Sequence, residues 1–239
     1  MKRLLFLATA TATLAATAAN ALPAAQMRLP ADLAENAAVL MVEGIGGGNK
    51  GRFTVGDWRG DFRRSEERLA IFDAFVTNRA GARFVIAGPG ISQTIEADCQ
   101  MRERLIAIDV LSFTPQRMAY ACDFTAGGRV FPARFELQEA RTGLADALSR
   151  RQRRGEIALG GEVVQIRSVH KLKGSPFQMA SPIGYVFEQD GRPVGAVELN
   201  GKPRLILADP ANESLSRTLT IAAMSLALLR DPADSALGD

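Results

Sequence analysis

Between Val39 and Leu137 the chain alternates apolar runs of strand length with turn signals. The runs are Val39-Leu40-Met41-Val42, Leu69-Ala70-Ile71-Phe72, Phe84-Val85-Ile86-Ala87 and Leu105-Ile106-Ala107-Ile108. The breaks are Gly44 to Gly51, Asn78-Arg79-Ala80-Gly81, Gly88-Pro89-Gly90, Thr114-Pro115 and Ala126-Gly127-Gly128. Such spacing predicts many short antiparallel strands rather than βαβ units. After Arg129, Phe131, Ala133, Phe135 and Leu137 share one face and Arg134 and Glu136 the other, with Pro132 marking an edge or a bulge.

Residues 139–154 change character, placing Leu144, Ala147, Leu148 and Arg151 at helical spacing before Gly155. This predicts a basic connecting helix, with Arg150, Arg151, Arg153 and Arg154 matching the negative end of its dipole. A second strand-rich stretch starts at Glu162. It contains a hairpin with Gly184 to Gln189, the turn Asp190-Gly191 and Arg192 to Leu199, followed by Asn200-Gly201 and Arg204 to Ala208. Asp209-Pro210 then signals a helix start, and Asp231-Pro232 a stop. Between Arg217 and Arg230 lie twelve uncharged residues, Thr218 to Leu229. At about 1.5 Å per residue they rise about 18 Å, too short for a bilayer core of about 30 Å. Leu219, Ile221, Met224, Leu226, Leu228 and Leu229 face all round this helix, so it needs sheathing on most sides. The expected fold class is therefore α+β and β-rich: an antiparallel sheet or barrel packed around a hydrophobic C-terminal helix. A helix laid on one side of an open sheet is the alternative.

The hairpin Val186-Phe187-Glu188-Gln189-Asp190-Gly191-Arg192-Pro193-Val194-Gly195, followed by the apolar helix at Thr218 to Leu229, resembles the tubby-like and phospholipid-scramblase-like β-barrels. The resemblance covers mainly residues 155–232. It implies a sheet closed around the last helix and brings no headgroup-binding residue with it.

The N-terminus, Met1-Lys2-Arg3 followed by Leu4-Leu5-Phe6-Leu7-Ala8 and an Ala/Thr-rich stretch to Ala21, reads as a secretory signal peptide. Cleavage after Ala21 is expected, with Ala16-Thr17-Ala18 as a second exit. The remainder divides into an extended lead-in at 22–36, one β-rich domain at 37–232 and a tail at 233–239. The expected compartment is oxidising, most simply a periplasm. Alternation turns Ile95, Ala97 and Cys99, and Met118, Tyr120, Cys122 and Phe124, toward the interior. The pair Cys99 and Cys122 is thus a candidate disulfide worth about 3 kcal/mol through loop closure.

With 29 Lys or Arg against 26 Asp or Glu, the net charge is +3, and Lys2 and Arg3 fall within the leader. Nucleic-acid binding by bulk charge is disfavoured. One His and two Cys cannot make a four-ligand His/Cys zinc site. His170 shares a face with Val164, Ile166 and Ser168. Ser168, Ser175 and Ser181 are its neighbouring nucleophiles, none in a G-x-S-x-G or S-x-x-K context. Asp57, Asp61, Asp73, Asp98, Asp109 and Asp123 are scattered, as on solvated strand faces. Gly44 to Gly51 matches no nucleotide loop and reads as a hairpin loop; Arg59-Gly60-Asp61 reads as a chance tripeptide. Arg150, Arg151, Arg153 and Arg154 form a candidate anion or partner contact, or a solvated helix end.

The chain is thus expected to be a non-catalytic secreted or periplasmic binding or envelope-associated module, acting through its sheet surface or an apolar pocket. An apolar compound, a lipid or an envelope component is its expected partner, with no nucleic acid, metal or cofactor. The alternative is a hydrolase using His170 with a nearby serine.

Overall fold

The computed structural model describes residues 25–71, 75–108, 111–140 and 151–232. Thirteen strands and two helices follow in the order α1 (Ala31–Asn36), β1 (Ala38–Glu43), β2 (Lys50–Val55), β3 (Trp58–Ile71), β4 (Phe75–Ala87), β5 (Ile95–Ile108), β6 (Leu111–Ala126), β7 (Arg129–Val130), β8 (Ala133–Glu139), β9 (Arg153–Leu159), β10 (Glu162–Val169), β11 (Gly184–Gln189), β12 (Arg192–Glu198), β13 (Arg204–Leu207) and α2 (Glu213–Leu228). Each strand pairs antiparallel with its neighbours. Pairing of β5 with β6 and of β1 with β13 closes a 12-stranded barrel, with the two-residue β7 as a flap on β6. Closure removes the unpaired edges that an open sheet of this size would expose.

Alternation builds the interior. Phe53, Phe84, Phe124, Phe135, Leu137, Ile157, Val164, Ile166 and Phe187 point inward in one continuous core, and α2 lies among them. The helix touches β4 as well as β9, β10, β12 and β13, and Leu219, Ile221, Ala222, Met224, Leu226 and Leu228 are buried around its circumference. The apolar segment read from the sequence is therefore sheathed, and the lumen is filled by protein. Its hydroxyls are satisfied locally: Thr220 Oγ1 donates to Ser216 O at 2.7 Å and Ser225 Oγ to Ile221 O at 3.0 Å. From the wall, Tyr120 donates its hydroxyl to Ser225 O at 2.9 Å, and burial pushes its pKa far upward. The start of α2 differs from the expectation. Asn212, in an extended conformation, caps the helix by accepting from Leu215 N at 3.1 Å, whereas Asp209 accepts from Ala211 N in the preceding turn.

A smaller core lies outside the barrel, where Met27 and Leu33 cover Ile183, Val186, Ala196 and Ile206. It explains why both faces of β11 are buried. It also corrects the extended lead-in, because Ala31–Asn36 form the six-residue helix α1 that places Leu33 there. The turn Asp190-Gly191 has both residues at positive φ, 51° and 75°, as a tight two-residue hairpin requires. Residues 141–150, the centre of the expected basic helix and the position of Arg150, lie outside the described residues. Glu139 ends β8, and Arg153, Arg154 and Gly155 belong to β9. Alternation through Ile157 and Leu159 makes Gly155 a strand position, not a helix cap; a Cβ there would meet Glu136 O at 2.0 Å.

The turn signals inside the long hairpins also proved misleading. Asn78-Arg79-Ala80-Gly81 runs through the middle of β4, and Thr114-Pro115 lies within β6 beside a register shift. Strands β3 to β6 are accordingly 13 to 16 residues long. Their far halves continue past β2, which reaches only Arg63 on β3, and past β8, which reaches only Ala119 on β6.

Candidate functional site

On the outer face of these long strands, register places three rows of three residues. Arg63, Arg83 and Asp98 form one row, Ser65, Gly81 and Gln100 the next, and Glu67, Arg79 and Arg102 the third. Gly81 is the centre, and the absence of a side chain there leaves a concavity of about 550 Å³. A Cβ on Gly81 would stand 3.1 Å from the side-chain Ser65 Oγ and 3.9 Å from the backbone Cys99 O. Below the floor, Cys99 and Cys122 are bonded across β5 and β6 with their Cα atoms 4.0 Å apart, confirming the predicted bridge.

Register here sets like charges against one another, as it also does at Arg154 with Arg167. Arg63 stands directly opposite Arg83 and Arg79 opposite Arg102, while Lys50 on β2 adds a third cation beside Arg63. Like charges in directly opposed positions destabilise a strand pair. Arg83 is relieved by Asp98, which accepts from its Nε at 3.1 Å, and this hydrogen bond together with the carboxylate charge raises the Arg83 pKa. Arg102 reaches only the amide oxygen of Gln100 at 3.3 Å, and Arg63 and Arg79 have no hydrogen bond or ion pair among the described residues. Elsewhere on the barrel some outward arginines are matched, as in Arg134 with Glu156 at 3.3 Å and Arg167 with Glu188 at 2.7 Å, while Arg59, Arg117 and Arg154 are not, among the described residues. Sequence reasoning missed this saddle because it took Asn78 to Gly81 for a turn. The alternation of Arg79, Gly81 and Arg83 with Ala80, Ala82 and Phe84 was the signal available.

The inner face beneath carries a buried polar group. Asn78 Nδ2 donates to Glu103 Oε2 at 2.7 Å, and Glu103 is 2% exposed. Burial pushes the Glu103 pKa up; the Asn78 hydrogen bond and Arg151 oppose this, and Asp231 and Glu139 add to it. A raised folded-state pKa means that the unfolded chain loses its proton first as pH rises. Stability therefore falls between the ordinary carboxylate pKa and the raised one, and the deficit stays constant above that window. Glu103→Gln should gain stability relative to the parent as pH rises through this window. Urea unfolding at acid and neutral pH measures it, and parallel profiles for the two proteins would remove Glu103 from this role.

The sequence candidates are distributed differently. Ser168 and His170, both 4% exposed, do meet: Ser168 Oγ is 3.1 Å from His170 Nε2, and His170 Nδ1 is 3.0 Å from Met179 O. A carbonyl only accepts, so Nδ1 carries a proton; in the neutral ring Nε2 is then the acceptor for the serine hydroxyl. Ser168 Oγ in turn accepts from Arg153 N at 2.9 Å. Ser175 instead accepts from Phe177 N at 3.2 Å. The arginine cluster is divided: Arg153 is buried on Asp231 and beside Tyr185 Oη at 3.3 Å, Arg151 lies 3.6 Å from Asp231, and Arg154 faces solvent. Gly44 to Asn49 connect β1 to β2 as a hairpin loop, held by Arg64 Nε donating to Gly48 O at 3.1 Å and Arg230 to Asn49 Oδ1 at 2.9 Å. Among the described residues no three His, Cys, Asp or Glu side chains are grouped to hold a metal ion, and no helix is long and apolar enough to cross a membrane. Compared with family models, with curated proteins and with solved structures, the chain matches none, so the chemistry of the saddle is what bears on its function.

Proposed function

We propose that the protein is a non-catalytic binding module of a secretory compartment, periplasmic in a bacterium, that works through the outer face of β3, β4 and β5. The observation that carries this reading is the saddle: a concave surface where four arginines stand in directly opposed pairs and, among the described residues, only Arg83 has a carboxylate partner, Asp98. Retaining destabilising charge is understandable where a ligand supplies the missing counter-charge. The filled lumen supports a surface role over an internal apolar pocket. The leader segment and the Cys99–Cys122 bridge fit an oxidising space. A barrel wrapped around its last helix fits the likeness to tubby-like and scramblase-like barrels, as architecture only.

The contact between Ser168 and His170 favours hydrolysis as a second reading, since it pairs a nucleophile with a base. One experiment separates the two. Native mass spectrometry of the protein recovered from its secreted fraction should show a stoichiometric non-covalent companion that Arg79→Gln removes, and a fluorophosphonate should leave Ser168 unlabelled. Labelling of Ser168 that His170→Ala abolishes would establish the hydrolase instead. A companion indifferent to Arg79→Gln would move binding to another face.

A further inference from the structure

We propose that the saddle receives a single acid group, phosphate or carboxylate, carried on a hydroxyl-rich residue: one unit of an acidic saccharide. The inference deepens the binding reading above by naming the ligand chemistry of the same face.

The acid group follows from the arginines. Along β4, Arg79 and Arg83 each lie two residues from Gly81, about 7 Å at strand rise, and Arg102 and Arg63 stand beside them on the adjoining strands. Arg63, Arg79 and Arg102 can turn toward an anion above Gly81 while Arg83 stays on Asp98, and their planar forks suit the paired oxygens of a carboxylate or phosphate. A dense polyanion fits poorly, because the remaining two corners are Glu67 and Asp98. One acid group over the centre meets the guanidinium groups while these carboxylates remain at the margin.

The hydroxyl-rich character follows from what surrounds the centre. Ser65 and Gln100 flank Gly81 within its row, offering a hydroxyl and an amide, each able to donate and accept. Glu67 adds an acceptor for ligand hydroxyls. The concavity, about 550 Å³, is larger than an isolated oxyanion requires, and the bare floor at Gly81 lets a ring lie close to the sheet.

Gly81 also provides the cleanest test. It faces outward and is not at positive φ, so Gly81→Leu fills the saddle without altering charge or forcing the backbone. Calorimetric titration would use glucuronate, glucose 6-phosphate, glucose and inorganic phosphate as probes. Both sugar acids should bind, inorganic phosphate roughly tenfold more weakly, and glucose not measurably. Gly81→Leu should weaken the sugar acids by roughly tenfold or more. Arg102→Gln should weaken them too while raising the Tm, since it removes a like-charge pair; a merely structural arginine would lower both together.

Equal binding of inorganic phosphate and the sugar acids, or unchanged binding by Gly81→Leu, overturns the proposal. If sugar acids do not bind but phosphatidylglycerol vesicles retain the protein, phosphatidylcholine vesicles do not, and Gly81→Leu releases it, the acid belongs to a lipid headgroup and the saccharide is overturned. Hydrolysis of glucose 6-phosphate with saddle-dependent binding would overturn the non-catalytic reading and leave the ligand class standing.

Discussion

Leu219→Ala and Ile221→Ala should each lower the free energy of unfolding by about 2–5 kcal/mol, the range for removing a buried aliphatic side chain and leaving a cavity. Two residues apart on a helix, these side chains diverge by about 200°, so they point to opposite sides of α2. Leu219 is 1% exposed and Ile221 is fully buried. Equal penalties are the signature of a helix walled in on all sides, whereas a helix packed on one face of a sheet would show one large penalty and one small one. Urea denaturation gives both values, with Val163→Ala, 48% exposed, as a control expected to change stability by no more than about 0.5 kcal/mol. A small penalty at either helix position would contradict the sheathed arrangement.

The second large effect concerns the ion pair just beyond the end of α2. Asp231→Ala should cost about 3–5 kcal/mol, because it takes a bonded carboxylate from the Arg153 guanidinium, whose side chain is 5% exposed. The pair itself need not be strongly stabilising, since desolvation of both ions offsets much of their attraction. Arg153→Met combined with Asp231→Leu should therefore recover most of the loss, although Arg151, 3.6 Å from the same carboxylate, keeps the recovery incomplete. A double-mutant cycle measures the coupling. Additive losses would show that the two residues act separately.

The architecture was legible where one physical signal ruled a segment. The uncharged run from Thr218 to Leu229 demanded burial on every side, and a closed sheet is an economical way to provide it. Strict alternation around Cys99 and Cys122 placed both sulfurs inward, and Asp190-Gly191 specified its turn through two positive φ angles. Reading failed where residue type and position conflict. Asn78 and Gly81 are turn formers by propensity, yet pairing with β3 and β5 on both sides holds them in mid-strand, with Asn78 bonded to Glu103. The saddle was hidden for the same reason: its arginines lie on three strands, and only register brings Arg63 to Arg83 and Arg79 to Arg102. The arginines near residue 150 were conspicuous because they are adjacent in sequence, but strand alternation sends Arg153 inward to Asp231 and Arg154 outward. Local charge density is a poor guide to a surface assembled from distant strands.

The seam between β1 and β13 constrains the order of assembly. It joins Ala38 to Leu207, near opposite ends of the described chain, and α2, which must occupy the lumen, is made only after β13. A chain emerging from its N-terminus can pair β1 through β6 early, but the ring cannot seal before the helix has entered, because a sealed ring would have to reopen to admit it. Contacts this distant in sequence slow folding. Until the seam closes, the inward phenylalanines remain open to solvent. The last helix therefore serves as the mandrel around which the ring is completed, and a chain halted before Glu213 is left with strands but no centre to close upon.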